Sequence, residues 1–184
     1  MPKVIDAPEP DSPNSVAVTD SRQPTAASVR EAHLTEPELT AWGERIGREV
    51  EPPVVLALRG DLGVGKSTLA RAITRGTGEA GVVPSPTFNL LFHYESPRGV
   101  DVYHLDLYRI EEADEVWELG WVELDAGPNL VLIEWPERAE ALLPRPRWEV
   151  RLEEVGDPAR RRVALHAVGE PPALPPFPAG AEAA

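Results

Sequence analysis

The chain has 184 residues, 18 basic and 31 acidic side chains, a formal net charge of −13 and no cysteine. This charge argues against a protein that clamps nucleic acid over a broad basic surface. The lack of cysteine excludes disulfides, thiolate metal sites and cysteine nucleophiles. The longest unbroken apolar run, residues 54–58, is far shorter than the roughly 20 residues of a membrane-spanning helix. We therefore expect a cytoplasmic protein with no membrane partner.

Two proline-rich stretches flank the central part of the chain. Residues 1–30 contain five prolines and few bulky apolar side chains, and residues 169–184 contain five prolines in sixteen positions. Such segments bury too little apolar surface to offset the entropy of ordering, and proline prevents regular backbone hydrogen bonding. We predict two disordered tails around one domain at residues 31–168.

The predicted elements follow in chain order. A capping box at residues 35–38 opens an amphipathic helix that the prolines at 52–53 end. Further helices are predicted at 66–75, 111–119 and 137–143, and strands at 54–58, 87–95, 100–109, 129–135, 148–155 and 161–168. Strands alternate with helices early and hairpins come later, which predicts a mixed sheet between helices.

A glycine-rich stretch follows the first predicted strand. Residues 60–67 match the P-loop pattern G-x-x-x-x-G-K-[ST] at every required position. The glycines let backbone N–H groups face phosphate oxygens, Lys66 supplies charge to the β- and γ-phosphates, and the Ser67 hydroxyl is a magnesium ligand. The residues expected to contact the nucleotide are Asp61, Leu62, Gly63, Val64, Gly65, Lys66, Ser67 and Thr68. The predicted fold class is therefore α/β: a P-loop NTPase-like three-layer sandwich with a mixed, largely parallel central sheet and a C-terminal β-hairpin.

A second nucleotide element should be an apolar strand that ends in an acid. Residues 130–134 have this form, and Glu134 would lie at the carboxyl end of its strand, where α/β folds bind ligands. Glu134 is thus predicted to hold magnesium directly or through water. The alternative for Glu134 is a solvated strand-end carboxylate, and for Trp135 it is core packing.

Polar side chains also alternate along the strand predicted at 100–109. Strand periodicity places His104, Asp106 and Tyr108 on one face and apolar side chains on the other. Asp106 is the candidate for orienting or deprotonating an attacking water. His104 by itself is more typical of a hydrogen-bonded structural residue.

Two other segments invite a functional interpretation. The stiff loop at residues 84–88 would present Thr87 to the γ-phosphate or to magnesium, as a nucleotide-sensing switch does, although a plain turn is the alternative. Residues 111–125 carry seven acids and no base. They form either a solvated helix face or a docking surface for a basic partner, with Trp117 and Trp121 as apolar anchors.

Taken together, five motifs in this order resemble the TsaE family. They are the P-loop, Ser85-Pro-Thr-Phe88, His104-Leu-Asp-Leu-Tyr-Arg109, Glu118-Leu-Gly120 and Leu132-Ile-Glu-Trp-Pro-Glu137. The match covers roughly residues 35–155. Ser67 replaces the threonine of many members and keeps the hydroxyl. The proline-rich stretches lie outside the pattern.

The resemblance implies a slow ATPase that uses ATP/ADP and Mg²⁺. It would join the TsaD and TsaB subunits of the transferase that modifies the adenosine next to the anticodon, and it would reach tRNA only through them. It also implies phosphate binding by Lys66, magnesium binding by Ser67 and Glu134, hydrolysis through Asp106, switching by Thr87 and support of the site by Trp135.

Three alternatives stay open. A small-molecule kinase shares the P-loop but usually needs an arginine-bearing lid, whereas this chain ends in a predicted hairpin. A GTPase is less favoured because the chain has no N-K-x-D motif. A nucleotide-switched interaction subunit without significant hydrolysis remains possible from the sequence, because a P-loop indicates binding and not turnover.

Overall fold

The computed structural model describes residues 30–81, 90–121, 124 and 127–179. The strands are β1 (Arg30–Thr35), β2 (Val54–Arg59), β3 (Leu91–Glu95), β4 (Asp101–Asp106), β5 (Leu130–Glu134), β6 (Arg147–Glu154) and β7 (Arg160–Val168). The α-helices are α1 (Glu36–Glu49) and α2 (Lys66–Gly76). Two 3-10 helices span Ala113–Leu119 and Pro136–Leu142.

The seven strands form one mixed sheet in the order β1-β7-β6-β2-β5-β4-β3. The central strands β6, β2, β5 and β4 run parallel, while β3, β7 and β1 pair antiparallel with their neighbours. The carboxyl ends of β2, β5 and β4 consequently meet at one edge of the sheet, with Asp106 opposite Glu134 and Glu134 opposite Leu58. This edge is where parallel α/β sheets bind ligands.

Both faces of the central sheet are covered. The strands β2 and β5 are buried and nearly continuously apolar, as is typical of strands covered on both faces. One apolar cluster packs α1 and α2 on the sheet and includes Trp42, Ile46 and Ile73. The other packs the 3-10 helices on the opposite face and includes Val116 and Trp121. These layers confirm the predicted three-layer α/β fold with a C-terminal hairpin of β6 and β7.

Several predicted elements differ from the structure in extent or type. The helices predicted at 111–119 and 137–143 are 3-10 helices, and the strand predicted at 100–109 ends at Asp106. The strand β1 was not predicted at all. It is a short edge strand that forms by pairing with β7, from which it is separated by more than a hundred residues, so no local pattern marks it.

The prediction of a disordered C-terminal tail is wrong for residues 169–179, which lie against the domain. Leu174 is buried, and the indoles of Trp42 and Trp148 donate hydrogen bonds to backbone carbonyls of this segment. Local composition could not reveal this, because the apolar surface that orders the segment belongs to other elements. Residues 1–29 and 180–184 of the predicted tails lie outside the described residues.

In the part of the chain that the structure describes, no helix is both long and apolar enough to cross a membrane.

Candidate nucleotide site

The glycine-rich loop joins the carboxyl end of β2 to the start of α2. Gly60, Gly63 and Gly65 all have positive φ, at 135°, 81° and 116°, a region that residues with a Cβ rarely adopt. Gly60 has a second constraint, because a Cβ there would lie 2.2 Å from the carbonyl oxygen of Leu152. The helix α2 begins at Lys66 without a side-chain cap. Its first N–H groups and its positive dipole end therefore face the loop as an anion-binding arrangement.

The ammonium of Lys66 lies inside this loop. Its Nζ donates to the carbonyl oxygens of Gly60 at 2.6 Å and Asp61 at 2.8 Å, and it lies 3.7 Å from the centre of the Trp135 ring. Burial lowers the pKa of Lys66, and the nearby carboxylates, with Glu134 the strongest, only partly oppose it. An ammonium has three N–H donors, so two loop carbonyls leave one donor for a phosphate oxygen.

A chain of hydrogen bonds joins three elements at the sheet edge. Ser67 Oγ, in the first turn of α2, donates to Glu134 Oε2 at 2.8 Å. The other carboxylate oxygen of Glu134 lies 2.8 Å from His104 Nε2 on β4. Glu134 and His104 are both almost fully buried. Two partners therefore fix the orientation of the Glu134 carboxylate in a place where an unpartnered charge would be costly.

Asp106 ends β4 next to Glu134 and is 3% exposed. Its Oδ1 accepts a hydrogen bond of 3.0 Å from the backbone N–H of Tyr108. The Tyr108 ring in turn lies 4.9 Å from the Trp135 ring, centre to centre. Trp135 has a φ of 57°, a strained conformation for a bulky residue that is typical of functional sites.

A cavity of about 260 Å³ opens between these groups. It is lined by Leu62, Gly63, Gly65, Lys66, Ser67, Thr68, Arg71, Asp106, Tyr108, Glu134 and Trp135. Most of the residues predicted to contact nucleotide or metal thus surround one space. The side chain of Val64 instead packs in the apolar core, and that of Asp61 is exposed. Thr87 lies outside the described residues.

Arg71 lines the cavity although the sequence motifs did not predict it as a site residue. Its Nε donates to the carbonyl oxygen of Ser67 at 3.1 Å, and the side chain lines the cavity. Helical spacing could have indicated it, because Arg71 is four residues after Ser67 and residues four apart lie on the same helix face. Arg71 adds a second positive charge beside the phosphate-binding loop.

A second cavity, of about 470 Å³, lies on the other side of the loop. It shares Gly63, Gly65 and Thr68 with the first cavity, and the start of α1 and the turn between β6 and β7 complete its walls. Arg161 also borders this space. The two cavities therefore adjoin each other at the P-loop and the first turn of α2.

The donor set suits magnesium that is bound together with a polyphosphate. No group of three or more His, Asp or Glu side chains among the described residues could hold a metal ion. Magnesium is usually held by one or two carboxylates plus phosphate oxygens and water. With Mg–O distances of 2.0–2.1 Å, adjacent octahedral ligands are about 2.9 Å apart, and Ser67 Oγ lies 2.8 Å from Glu134 Oε2.

Next to the loop, an ion-pair cluster anchors the end of β2. Arg59 contacts Glu137, Glu140 and Glu149 at 3.6, 2.6 and 3.2 Å. Burial by itself would lower the pKa of Arg59, but the hydrogen bonds that Arg59 donates to Glu140 and Glu149 outweigh it and raise that pKa. The cluster ties the residue before the P-loop to the 3-10 helix that follows Trp135, so both walls of the site are held together.

The proposed pair of tryptophan anchors in the acidic segment is not present. Trp121 is buried, and its Nε1 donates to the carbonyl oxygen of Leu142 at 3.0 Å. Trp117 is 49% exposed. A docking surface here would therefore have one exposed tryptophan rather than two.

The parallel sheet, the loop of positive-φ glycines and the buried lysine and carboxylate at one sheet edge define a P-loop NTPase-type protein. The family model "Threonylcarbamoyl adenosine biosynthesis protein TsaE" matches residues 34–163. The chain therefore belongs to the TsaE family of tRNA threonylcarbamoyladenosine biosynthesis.

Individual relatives agree with this family. A TsaE of Rickettsia bellii is 41% identical over 127 residues, covering 68% of this chain and 87% of the relative. The TsaE of Bacillus subtilis is 38% identical over 120 residues, covering 65% of this chain and 73% of the relative. The crystal structure of Bacillus subtilis YdiB superposes with a TM-score of 0.66 at 27% identity, covering 79% of this chain and 89% of that chain.

Proposed function

We propose that the chain binds ATP with Mg²⁺ and hydrolyses it slowly, as a subunit that the threonylcarbamoyl transferase machinery needs for repeated turnover. The observation that carries this proposal is the hydrogen-bonded chain from Ser67 through Glu134 to His104, beside the ammonium of Lys66. It combines a phosphate-binding loop with a fixed carboxylate at the same cavity.

The phosphates would lie in the loop at the start of α2. Backbone N–H groups of that turn bind them, and Lys66 donates its remaining N–H to them. Arg71 adds charge from the next helical turn. The anionic phosphates would stabilise the protonated form of Lys66, because they offset the burial that lowers its pKa.

Ser67 and Glu134 would hold the magnesium ion, whose chemistry is to neutralise charge on the phosphate oxygens. His104 positions Glu134, and the buried surroundings keep that carboxylate in one orientation. Asp106, whose carboxylate lines the same cavity, would orient or deprotonate the attacking water. Thr87 remains a proposed switch residue that senses the γ-phosphate.

The base and ribose would occupy the second cavity. This cavity adjoins the P-loop at Gly63, Gly65 and Thr68, and Glu134 is not part of its lining. It lies between the start of α1 and the β6–β7 turn. Its volume of about 470 Å³ falls in the range of small-molecule sites.

The partners proposed for this subunit are TsaD and TsaB. With a net charge of −13, the chain would repel tRNA at long range, so it would reach tRNA only through those partners.

Phosphate release from Mg·ATP, with and without TsaB and TsaD, tests the proposal in wild type and Asp106→Asn. We expect the partners to stimulate hydrolysis and the variant to lose it about 100-fold or more while ATP affinity is kept. Asp101→Asn, a half-exposed position at the start of the same strand, is the matched control and should behave as wild type.

A multiple-turnover tRNA modification assay with the same variant separates the second candidate, a nucleotide-switched interaction subunit. If Asp106→Asn still supports repeated rounds of tRNA modification at the wild-type rate, hydrolysis is not the function and nucleotide binding alone sets the state of the complex.

A further inference from the structure

Arg71 lies on α2, one turn after Ser67, and its side chain has a fixed direction. Its Nε donates to the carbonyl oxygen of Ser67 at 3.1 Å, which draws the guanidinium back toward the start of the helix. Long side chains on helices generally point this way. The guanidinium therefore lies beside the phosphate-binding loop, where it borders the first cavity.

Most of this guanidinium is left for a ligand or for water. A guanidinium carries five N–H donors, and the bond to Ser67 uses the one on Nε. In the part of the chain that the structure describes, no carboxylate forms an ion pair with Arg71 and no acceptor hydrogen-bonds to its two Nη groups. Arg59, the last residue before the loop, instead contacts three carboxylates. Arg71 is thus a cation at the cavity whose charge no described carboxylate offsets by direct contact.

Two buried carboxylates border the same cavity. The oxygens of Glu134 already contact Ser67 and His104, and Asp106 Oδ1 accepts from the backbone N–H of Tyr108. These two carboxylates would repel a negatively charged phosphate placed beside them. A guanidinium with free Nη groups offsets this repulsion, and its planar fork matches two oxygens of one phosphate.

The position of Arg71 also indicates which phosphate it would contact. The second cavity, proposed above for the base and ribose, is bordered by Thr68 and, among the described residues, not by Arg71. The first cavity is bordered by Arg71 together with Asp106, the proposed hydrolytic carboxylate. With the nucleoside in the second cavity, the phosphate farthest from it would lie on the side of Arg71.

We propose that Arg71 binds the terminal phosphate of ATP and thereby makes the site selective for ATP over ADP. The inference rests on the proposed function, because it takes the nucleotide to lie in the P-loop with its terminal phosphate in the first cavity. It goes beyond that function by assigning the distinction between triphosphate and diphosphate to one side chain. ADP lacks the phosphate that Arg71 would contact, so ADP gains no affinity from this residue.

Isothermal titration calorimetry on the full chain tests this proposal, with Mg²⁺ and either ADP or ATPγS, a slowly hydrolysed analogue of ATP. Arg71→Gln should weaken ATPγS binding about tenfold or more and keep ADP binding within about twofold of wild type. Arg71→Lys, which keeps the charge but loses the fork, should lie between wild type and Arg71→Gln. Arg75→Gln is the matched control, because Arg75 is exposed in the last turn of the same helix. It should leave both affinities unchanged.

Two results would overturn the assignment of Arg71 while ATP binding itself stands. One is an unchanged ATPγS affinity in Arg71→Gln. The other is an equal loss of affinity for both nucleotides in a variant that circular dichroism shows to be folded, which would mean that Arg71 only supports the loop through the Ser67 carbonyl. If Arg71→Gln does not fold, the same comparison of nucleotides in Arg71→Lys decides. A wild-type chain that binds neither nucleotide would overturn the proposed function, and this inference with it.

Discussion

At the residue scale, His104 contacts Glu134, the buried carboxylate that we propose as a magnesium ligand. The ring Nε2 lies 2.8 Å from Glu134 Oε1, while no described group partners the buried Nδ1. Among the described residues, the histidine is therefore hydrogen-bonded to the site through Glu134. In the proposed magnesium site it would position Glu134, in the way that outer-shell groups orient metal ligands.

We predict that His104→Leu lowers Mg·ATP hydrolysis about 10- to 100-fold and raises the Mg²⁺ concentration for half-maximal activity. His104→Gln, which can still donate to Glu134, should recover part of the loss. A magnesium titration of phosphate release measures both variants. An unchanged magnesium requirement in His104→Leu would show that Glu134 is held correctly without the histidine.

Lys66 yields a prediction on pH. Burial lowers its pKa below the ordinary 10.5, so the free chain loses the Lys66 charge at a lower pH than an exposed lysine would. ATP affinity should therefore fall as the pH rises through this lowered pKa. Bound nucleotide should in turn raise the pKa of Lys66. The sequence contains two lysines, Lys3 and Lys66. NMR of ¹³C-labelled lysine in a Lys3→Arg chain thus follows Lys66 alone, and a pKa at or above 10.5 without nucleotide would contradict the expectation.

At the scale of elements, α1 and α2 approach each other through glycines. A Cβ at Gly47 would lie 2.0 Å from the carbonyl oxygen of Ile73, and one at Gly76 would lie 2.2 Å from that of Glu44. The neighbours are backbone atoms, which cannot move without moving a helix. Because α2 carries the phosphate-binding loop at its start, the crossing of these helices also sets where the loop lies.

Gly47→Ala should therefore destabilise the protein by about 1–3 kcal/mol through overpacking, despite the roughly 1 kcal/mol that alanine gains over glycine inside a helix. Urea unfolding measures this effect. Gly156→Ala is the matched control, because a Cβ at Gly156 meets no atom within 4 Å. If Gly47→Ala is as stable as the control, α1 and α2 can move apart to accommodate the added Cβ without a measurable loss of stability.

At the scale of the whole molecule, the net charge of −13 bears on the proposed route to tRNA. We predict no tRNA binding by the isolated chain at micromolar concentration and 0.1 M salt, since no long-range attraction would gather the phosphates. A gel-shift titration with the chain alone and with TsaB and TsaD measures this. A shift with the chain alone that weakens as salt rises would place a local basic tRNA contact on this subunit.

Much of the fold and of the candidate site could be predicted because their signals are local. The apolar runs of β2 and β5, the glycine pattern and the capping box at Thr35 each depend on neighbouring residues. The capping box is present, with Glu38 and Thr35 bonded to each other. The helical spacing that places Arg71 on the same helix face as Ser67 is also a local feature, but the P-loop pattern does not include this position.

Spacing along the chain was thus enough to predict the family, the α/β class and the residues around the phosphate-binding loop. Three features became visible only in the folded chain: the contact of His104 with Glu134, the burial of Trp121 and the packing of residues 171–177 on the domain. These outcomes depend on partners 20 or more residues away, and the free energy that orders such a contact comes from burial against surfaces that no local pattern contains.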